Sequence, residues 1–216
     1  STGGTVSFSG TFGIRYNFTY TSGTVDMGTS TFEFIYSGQN IYAGSLAFYN
    51  VTFRGSNGDA NLQASTMKVY GTLSLADTYS ASSPGTVDNG TIEAYGPVSV
   101  TSFGKMGTAN IKISGNTNQV VNGSSASANM PSLEIASSGG TVTLSGTLQL
   151  RSNFIVTSGT IDASTSTLVF YGASTKQIIP GTVTYNNVEF TTGTGTSGTT
   201  MDLNAGTMTV NGTLTL

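Results

Sequence analysis

The chain has 216 residues, a formal net charge of −3 and no His, Cys or Trp, a length for one domain of ordinary size or two small ones. Without Cys or His it holds no Cys₄ or Cys₂His₂ zinc site, no thiol nucleophile and no imidazole base, and seven scattered cations do not supply the phosphate neutralisation of a nucleic-acid binder. Thr, Ser and Gly (37, 29 and 29 residues) fill 95 of 216 positions, yet 11 Phe and 10 Tyr within a 37% hydrophobic chain suffice for a core and separate it from a disordered linker.

Taken in order, the elements read as short strands. Val6, Phe8, Phe12 and Ile14 stand on alternate positions across a Ser-Gly turn, and Val142, Leu144, Leu148 and Leu150 repeat the pattern. Between them Ile111 and Ile113, then Leu133 and Ile135, alternate in the same way, as do Met208 and Val210 near the end. Runs of four to seven residues are bounded by Ser-Gly, Asn-Gly or Pro-Gly, and no window of a dozen residues has apolar spacing at 3, 4 and 7. The chain is predicted to be all-β, with almost no helix. No apolar run approaches the ~20 residues of a membrane-spanning helix.

Internal repetition is the strongest signal. STGGTVSFSGTFGIRYNFTYTSGTVDMGTST at the start returns as SSGGTVTLSGTLQLRSNFIVTSGTIDASTST from Ser137, with 19 of 31 positions identical. The match continues through AFYNVTF and TYNNVEF to STMKVYGTLSL (65–75) and GTMTVNGTLTL (206–216). The whole chain reads as a single repetitive β domain, 1–216, with copies at 1–75 and 137–216 and a more divergent middle, 76–136, where SASSPG and NGSSASANMPS read as loops. Similar side chains recurring at coil spacing favour a parallel β-solenoid, or β-helix, of about 10 coils. Three strands in about 20 residues make one coil, and stacking at ~4.8 Å gives a rod of roughly 50 Å. A β-sandwich with donor-strand exchange is the alternative architecture.

GTLQL, SNFIVTSGTIDASTSTLVFYG and FYNVTF resemble the phrases of repetitive bacterial and archaeal cell-surface proteins with pectin-lyase-like β-helix repeats. The resemblance covers most of the chain, most clearly 1–75 and 137–216. It implies a β-helix and a surface location, while the functions it spans run from adhesion to fibre building and polysaccharide processing. The composition fits a secreted, extracellular protein whose signal peptide has been removed. Five N-x-[ST] sequons, at Asn17, Asn50, Asn89, Asn122 and Asn211, are possible glycosylation sites.

Candidate chemistry is sparse, and no catalytic, cofactor or metal site is expected. The cations Arg15, Arg54, Lys68, Lys105, Lys112, Arg151 and Lys176 are isolated, unlike the basic and acidic clusters of polysaccharide-cleaving β-helices. Asp26, Asp88 and Asp162 share a Gly-Thr-Val/Ile-Asp motif and could align on one face, but an Asp there is expected to close a turn. Asn57-Gly58-Asp59 is too short a signal for calcium. Thr pairs at 141/143, 182/184, 207/209 and 213/215 are unevenly spaced in sequence, which argues against an ice-binding plane. Tyr16, Tyr20, Tyr36, Tyr42 and Tyr49 could form a sugar or protein contact surface.

The ends carry the functional expectation. Full-strength strands stand at 4–14 and 206–216, where soluble solenoids have atypical caps. The expected function is a structural subunit of an extracellular filament, pilus-like fibre or sheath. Copies would join head-to-tail through Thr5, Val6, Phe8, Phe12 and Ile14 on one end and Met208, Val210, Leu214 and Leu216 on the other. Copies of the chain itself are then the main partner, with surface glycans a second. The alternative is an adhesin stalk or carbohydrate-binding passenger domain, the chain being part of a longer array.

Overall fold

The computed structural model describes residues 3–35, 38–54, 59–76, 85–101, 106–172, 176–191, 201–204 and 206–216. Among the described residues there is no helix, and every strand pairing is parallel. One ladder shows the winding. Phe12 pairs with Phe32, then Val51, Leu73, Val98, Val121 and Leu144 in succession, each on the next turn. Parallel neighbours need a crossover connection, and here the crossover is the rest of each coil. The result is a parallel β-solenoid of about 8 turns. The sandwich alternative fails, because hairpin-joined strands would pair antiparallel.

The turn number corrects the expectation of about 10 coils. Steps along the ladders run from 19 residues (Phe32 to Val51) to 27 (Ala60 to Val87), so many turns use more chain than the strand spacing implies. At ~4.8 Å per turn the rod is about 40 Å long, not 50. The surplus sits in corners and bulges. Between Ser124 and Asn129 the chain advances five residues while its partner goes only from Thr147 to Gln149. The segment 122–132 is therefore not a plain loop: it lies largely within the strand Gln119–Met130, bulged in its middle and paired on both sides of the bulge. Of SASSPG, residues 80–84 lie outside the described residues, and Gly85 is buried.

The sequence repeat is also a repeat of register. Val6 pairs with Val25, Phe12 with Phe32 and Ile14 with Phe34; their counterparts Val142 with Ile161, Leu148 with Leu168 and Leu150 with Phe170 pair identically. One turn later Phe34 meets Phe53 as Phe170 meets Phe190, both as stacked rings, 5.3 and 5.2 Å between centroids. Alternation explains the core: inward positions are buried and outward ones are not, as in Leu73-Ser74-Leu75 and Val98-Ser99-Val100. The first turns are filled by Phe8, Phe12, Phe18, Phe32, Phe34, Phe48 and Phe53, the middle by Val, Ile and Leu. Each fully buried large side chain contributes roughly 1.5–3 kcal/mol. Close approach of coils depends on glycine at Gly123, where an added Cβ would collide with the carbonyl oxygen of Thr147 one turn on.

Candidate functional site

Three kinds of feature combine chemistry with position: the edges of the end coils, the corners, and openings between coils. At the first coil, Thr5 and Val6 are exposed, and Phe8, Phe12 and Ile14 are half-buried against the core. At the last, Met208 and Val210 are half-buried, while Leu214 is 51% and Leu216 91% exposed. Ile178, Phe190, Leu203, Met208, Val210 and Leu214 surround an apolar hollow of about 230 Å³. All nine predicted assembly residues thus lie on the two end coils, each edge mixing exposed side chains with half-buried ones. In the second repeat copy the same strand is covered: Gln119, Val121 and Met130 pair with Val142, Leu144 and Leu150, all three of the latter fully buried.

Corners are held by asparagines. Asn17, Asn50, Asn118, Asn153 and Asn187 each accept, at Oδ1, the backbone N–H of a residue one turn on: Asn40, Thr72, Thr141, Gln177 and Thr213, at 2.8–2.9 Å. This bears on the sequons. Asn50 Nδ2, the atom that would carry a glycan, faces the preceding coil, 3.3 Å from Thr31 Oγ1. Asn122 is half-buried and accepts from Ser145 Oγ. Asn17, Asn89 and Asn211 are exposed, and Asn89 sits at a left-handed φ of 52° on a corner.

Buried polar side chains form a second corner device that sequence reasoning missed. Gln39 Nε2 donates to the carbonyls of Ile14 and Tyr16, both at 2.9 Å. Gln119 Nε2 donates to those of Ala94 and Gly96, at 3.0 and 3.1 Å. Lys176, the repeat counterpart of Gln39, donates from Nζ to Arg151 O at 2.8 Å. Each clamps the corner of the turn below. Burial, and the nearby Arg151 guanidinium, push the Lys176 ammonium below its ordinary range. The signal was present in sequence: a polar residue at an inward position, two before Ile41, Val121 and Ile178.

The remaining candidates resolve into structural roles. Asp26, Asp88 and Asp162 do not align, since they pair with Ser7, Asn61 and Thr143 on different turns. Asp26 accepts from Gly28 N and Asp162 from Ser164 N, closing turns; Asp88 accepts from Thr108 N and Thr86 Oγ1. Hydrogen bonds from the Ser164 side chain and backbone hold the Asp162 carboxyl below the usual range. Arg151 lies 3.6 Å over the Tyr171 ring and donates from Nε to Asn129 Oδ1. Thr pairs that are unevenly spaced in sequence do stack, Thr141 on Thr160 and Thr184 on Thr209, because corners absorb the length differences. Asp162 on Thr143 interrupts the plane. Of the five early tyrosines, Tyr36 lies outside the described residues, as do Asn57, Gly58 and Lys105. The aromatic column instead is Tyr70 on Tyr95, 4.7 Å apart and 15° from parallel; the two Tyr-Gly corners, 70–71 and 95–96, were its signal.

Among the described residues no group of three His, Asp or Glu could hold a metal ion, and no helix is long and apolar enough to cross a membrane. No family model, curated protein or solved structure matches the chain. What the structure defines is a class, the parallel β-solenoids.

Proposed function

We propose that this chain is a structural β-solenoid unit of an extracellular filament or sheath at a bacterial or archaeal cell surface, extended by stacking end coils of successive copies. The observation that carries this reading is the match between the two end edges. GTVSFSGTFGI (4–14) and GTMTVNGTLTL (206–216) align without a gap, so Val6, Phe8, Phe12 and Ile14 have the same spacing as Met208, Val210, Leu214 and Leu216. Laid in register, the inward side chains continue the core columns and the two edges complete a parallel ladder. The counterpart of this strand at 140–150 takes a parallel neighbour, interrupted by one bulge, which supports the capacity of the edge to be covered.

Magnitudes favour a weak, cooperative joint. Covering Val6, Leu214 and Leu216 yields about 4 kcal/mol of transfer free energy, near the low end of the ~4–15 kcal/mol cost of association. Backbone hydrogen bonds and the half-buried side chains must supply the rest, so assembly should depend on concentration. A heterologous contact of this kind does not close on itself and propagates as a fibre. The test is sedimentation velocity across a concentration series, with Leu216→Glu as the variant. Leu216 holds almost nothing within its own fold, so the variant should keep the β spectrum and lose the large species. Equal assembly by the variant, or a single monomeric species at every concentration, contradicts the reading.

A further inference from the structure

The repeat copies share an opening as well as a register. Among the described residues the strand Thr24–Asp26 pairs on one edge only, with Thr5–Ser7. Its counterpart 160–162 pairs with the preceding turn, but pairing to the next turn breaks off after Ile155 with Ile179, resumes at Ala163 with Tyr185 and then jumps to Thr167 with Asn187. In both copies an Asp turn bends the chain inward, and the two coils part. A cleft results in each, of about 260 Å³ at Asp26 and 520 Å³ at Asp162. Asp26, Gly28, Phe48, Tyr49 and Tyr70 line the first; their repeat equivalents Asp162, Ser164, Tyr185, Asn186 and Asn211 line the second.

We propose that these clefts are equivalent subsites for a neutral glycan, the Asp162 cleft being the larger. The lining selects the ligand class. Among the described residues no Lys or Arg lines either cleft, so the lining offers no counter-charge to a phosphate, sulfate or uronate. A single carboxylate is too few for a hard divalent cation. Around Asp162 stand the hydroxyls of Thr160, Ser164, Thr182 and Thr184 and the amides of Asn186 and Asn211, over an apolar floor of Ile161, Ala163 and Val183. Hydroxyl-rich rings with C–H faces match that alternation of polar rim and apolar floor. In the first copy the amides are replaced by Tyr49 and Tyr70. Tyr95 stacks on the Tyr70 ring from the following turn, and Tyr49 and Tyr70 both keep exposed aromatic surface at the cleft. This proposal does not depend on end-to-end assembly.

The experiment is a titration of the isotope-labelled full chain, followed by amide chemical shifts, with cellotetraose, maltotetraose and chitotetraose, and with tetragalacturonate as the charged comparator. At least one neutral tetrasaccharide should shift amides in 159–164, 182–186 and 211, with smaller shifts at 26–28 and 47–49. Asp162→Asn keeps the acceptor for Ser164 N–H while removing the charge, and should weaken binding at the larger cleft about tenfold. Asn211→Ala, on an exposed side chain, should also weaken it, and Tyr70→Ala should abolish the shifts at 26–28 and 47–49 while leaving those of the larger cleft. Far-UV circular dichroism confirms that each variant is folded. The proposal is overturned if none of the three neutral sugars shifts cleft amides, if tetragalacturonate binds as well as they do, or if both Asp162→Asn and Asn211→Ala leave the affinity unchanged.

Discussion

Replacing Gln119 with leucine tests whether the corner clamps hold the solenoid together. The side chain is 2% exposed, and leucine nearly preserves its volume, so packing changes little. Hydrogen bonding changes a great deal. Gln119 Oε1 accepts from Gly115 N at 2.9 Å, and Nε2 donates to the carbonyls of Ala94 and Gly96. Leucine removes all three bonds, and a buried backbone group left without its partner costs about 1–3 kcal/mol. The Ala94 carbonyl also accepts from Ser114 N, which softens its share. A total of roughly 3–6 kcal/mol follows, a large fraction of the ~5–15 kcal/mol that holds a domain folded. Urea unfolding at constant slope reads the loss. Hydrogen exchange localises it, because the Gly115 amide should lose protection beyond the global change. A loss below about 1 kcal/mol with Gly115 protection unchanged would refute the clamp argument. Gln119→Glu sharpens it: a buried carboxylate facing two carbonyl oxygens has its pKa raised, so that variant should gain stability as the pH is lowered and the group protonates.

Other consequences follow from packing and titration. Gly123→Ala should destabilise by more than about 2 kcal/mol, since its Cβ meets the Thr147 carbonyl on the next turn. Gly4→Ala, with nothing within 4 Å of the added atom, should fall within about 0.5 kcal/mol of the parent by the same urea assay. Phe170→Ala, which empties a stacked position against Phe190, should cost about 3–5 kcal/mol. Burial raises the Tyr185 hydroxyl well above its ordinary range, so the folded state keeps a proton that the unfolded state loses above about pH 10. Its contribution is present below that pH and declines above it. Tyr185→Phe should cost about 1 kcal/mol near neutrality, through the lost 2.7 Å bond to Pro180 O, and abolish this part of the alkaline decline. Parallel urea midpoints through the alkaline range check the sign.

The fold was legible where one residue type answers one constraint. Alternation of Val, Leu, Ile and Phe with Ser and Thr marks which side of a strand faces in, and the returns of Phe34 as Phe170 and of Phe53 as Phe190 reveal stacking at a distance. Turn number was not legible, because bulges such as 125–128 add chain without adding a coil. Gln39, Gln119 and Lys176 are marked in sequence only by their place two residues before an inward Ile or Val, and the corner carbonyls they satisfy come from residues more than twenty positions earlier. The clefts were illegible for the same reason. Asp26 and Asp162 advertise a turn, but the gap beside each exists only because two distant coils fail to pair. Thr spacing in sequence does not report stacking, since sequence distance between coils is set by corners and spatial distance by the ladder.

Electron microscopy of the purified, concentrated chain without denaturant tests the central functional claim most directly. Stacked end coils predict uniform fibres with an axial subunit repeat near the rod length of about 40 Å. Dispersed single rods at every concentration would contradict assembly through the coil ends.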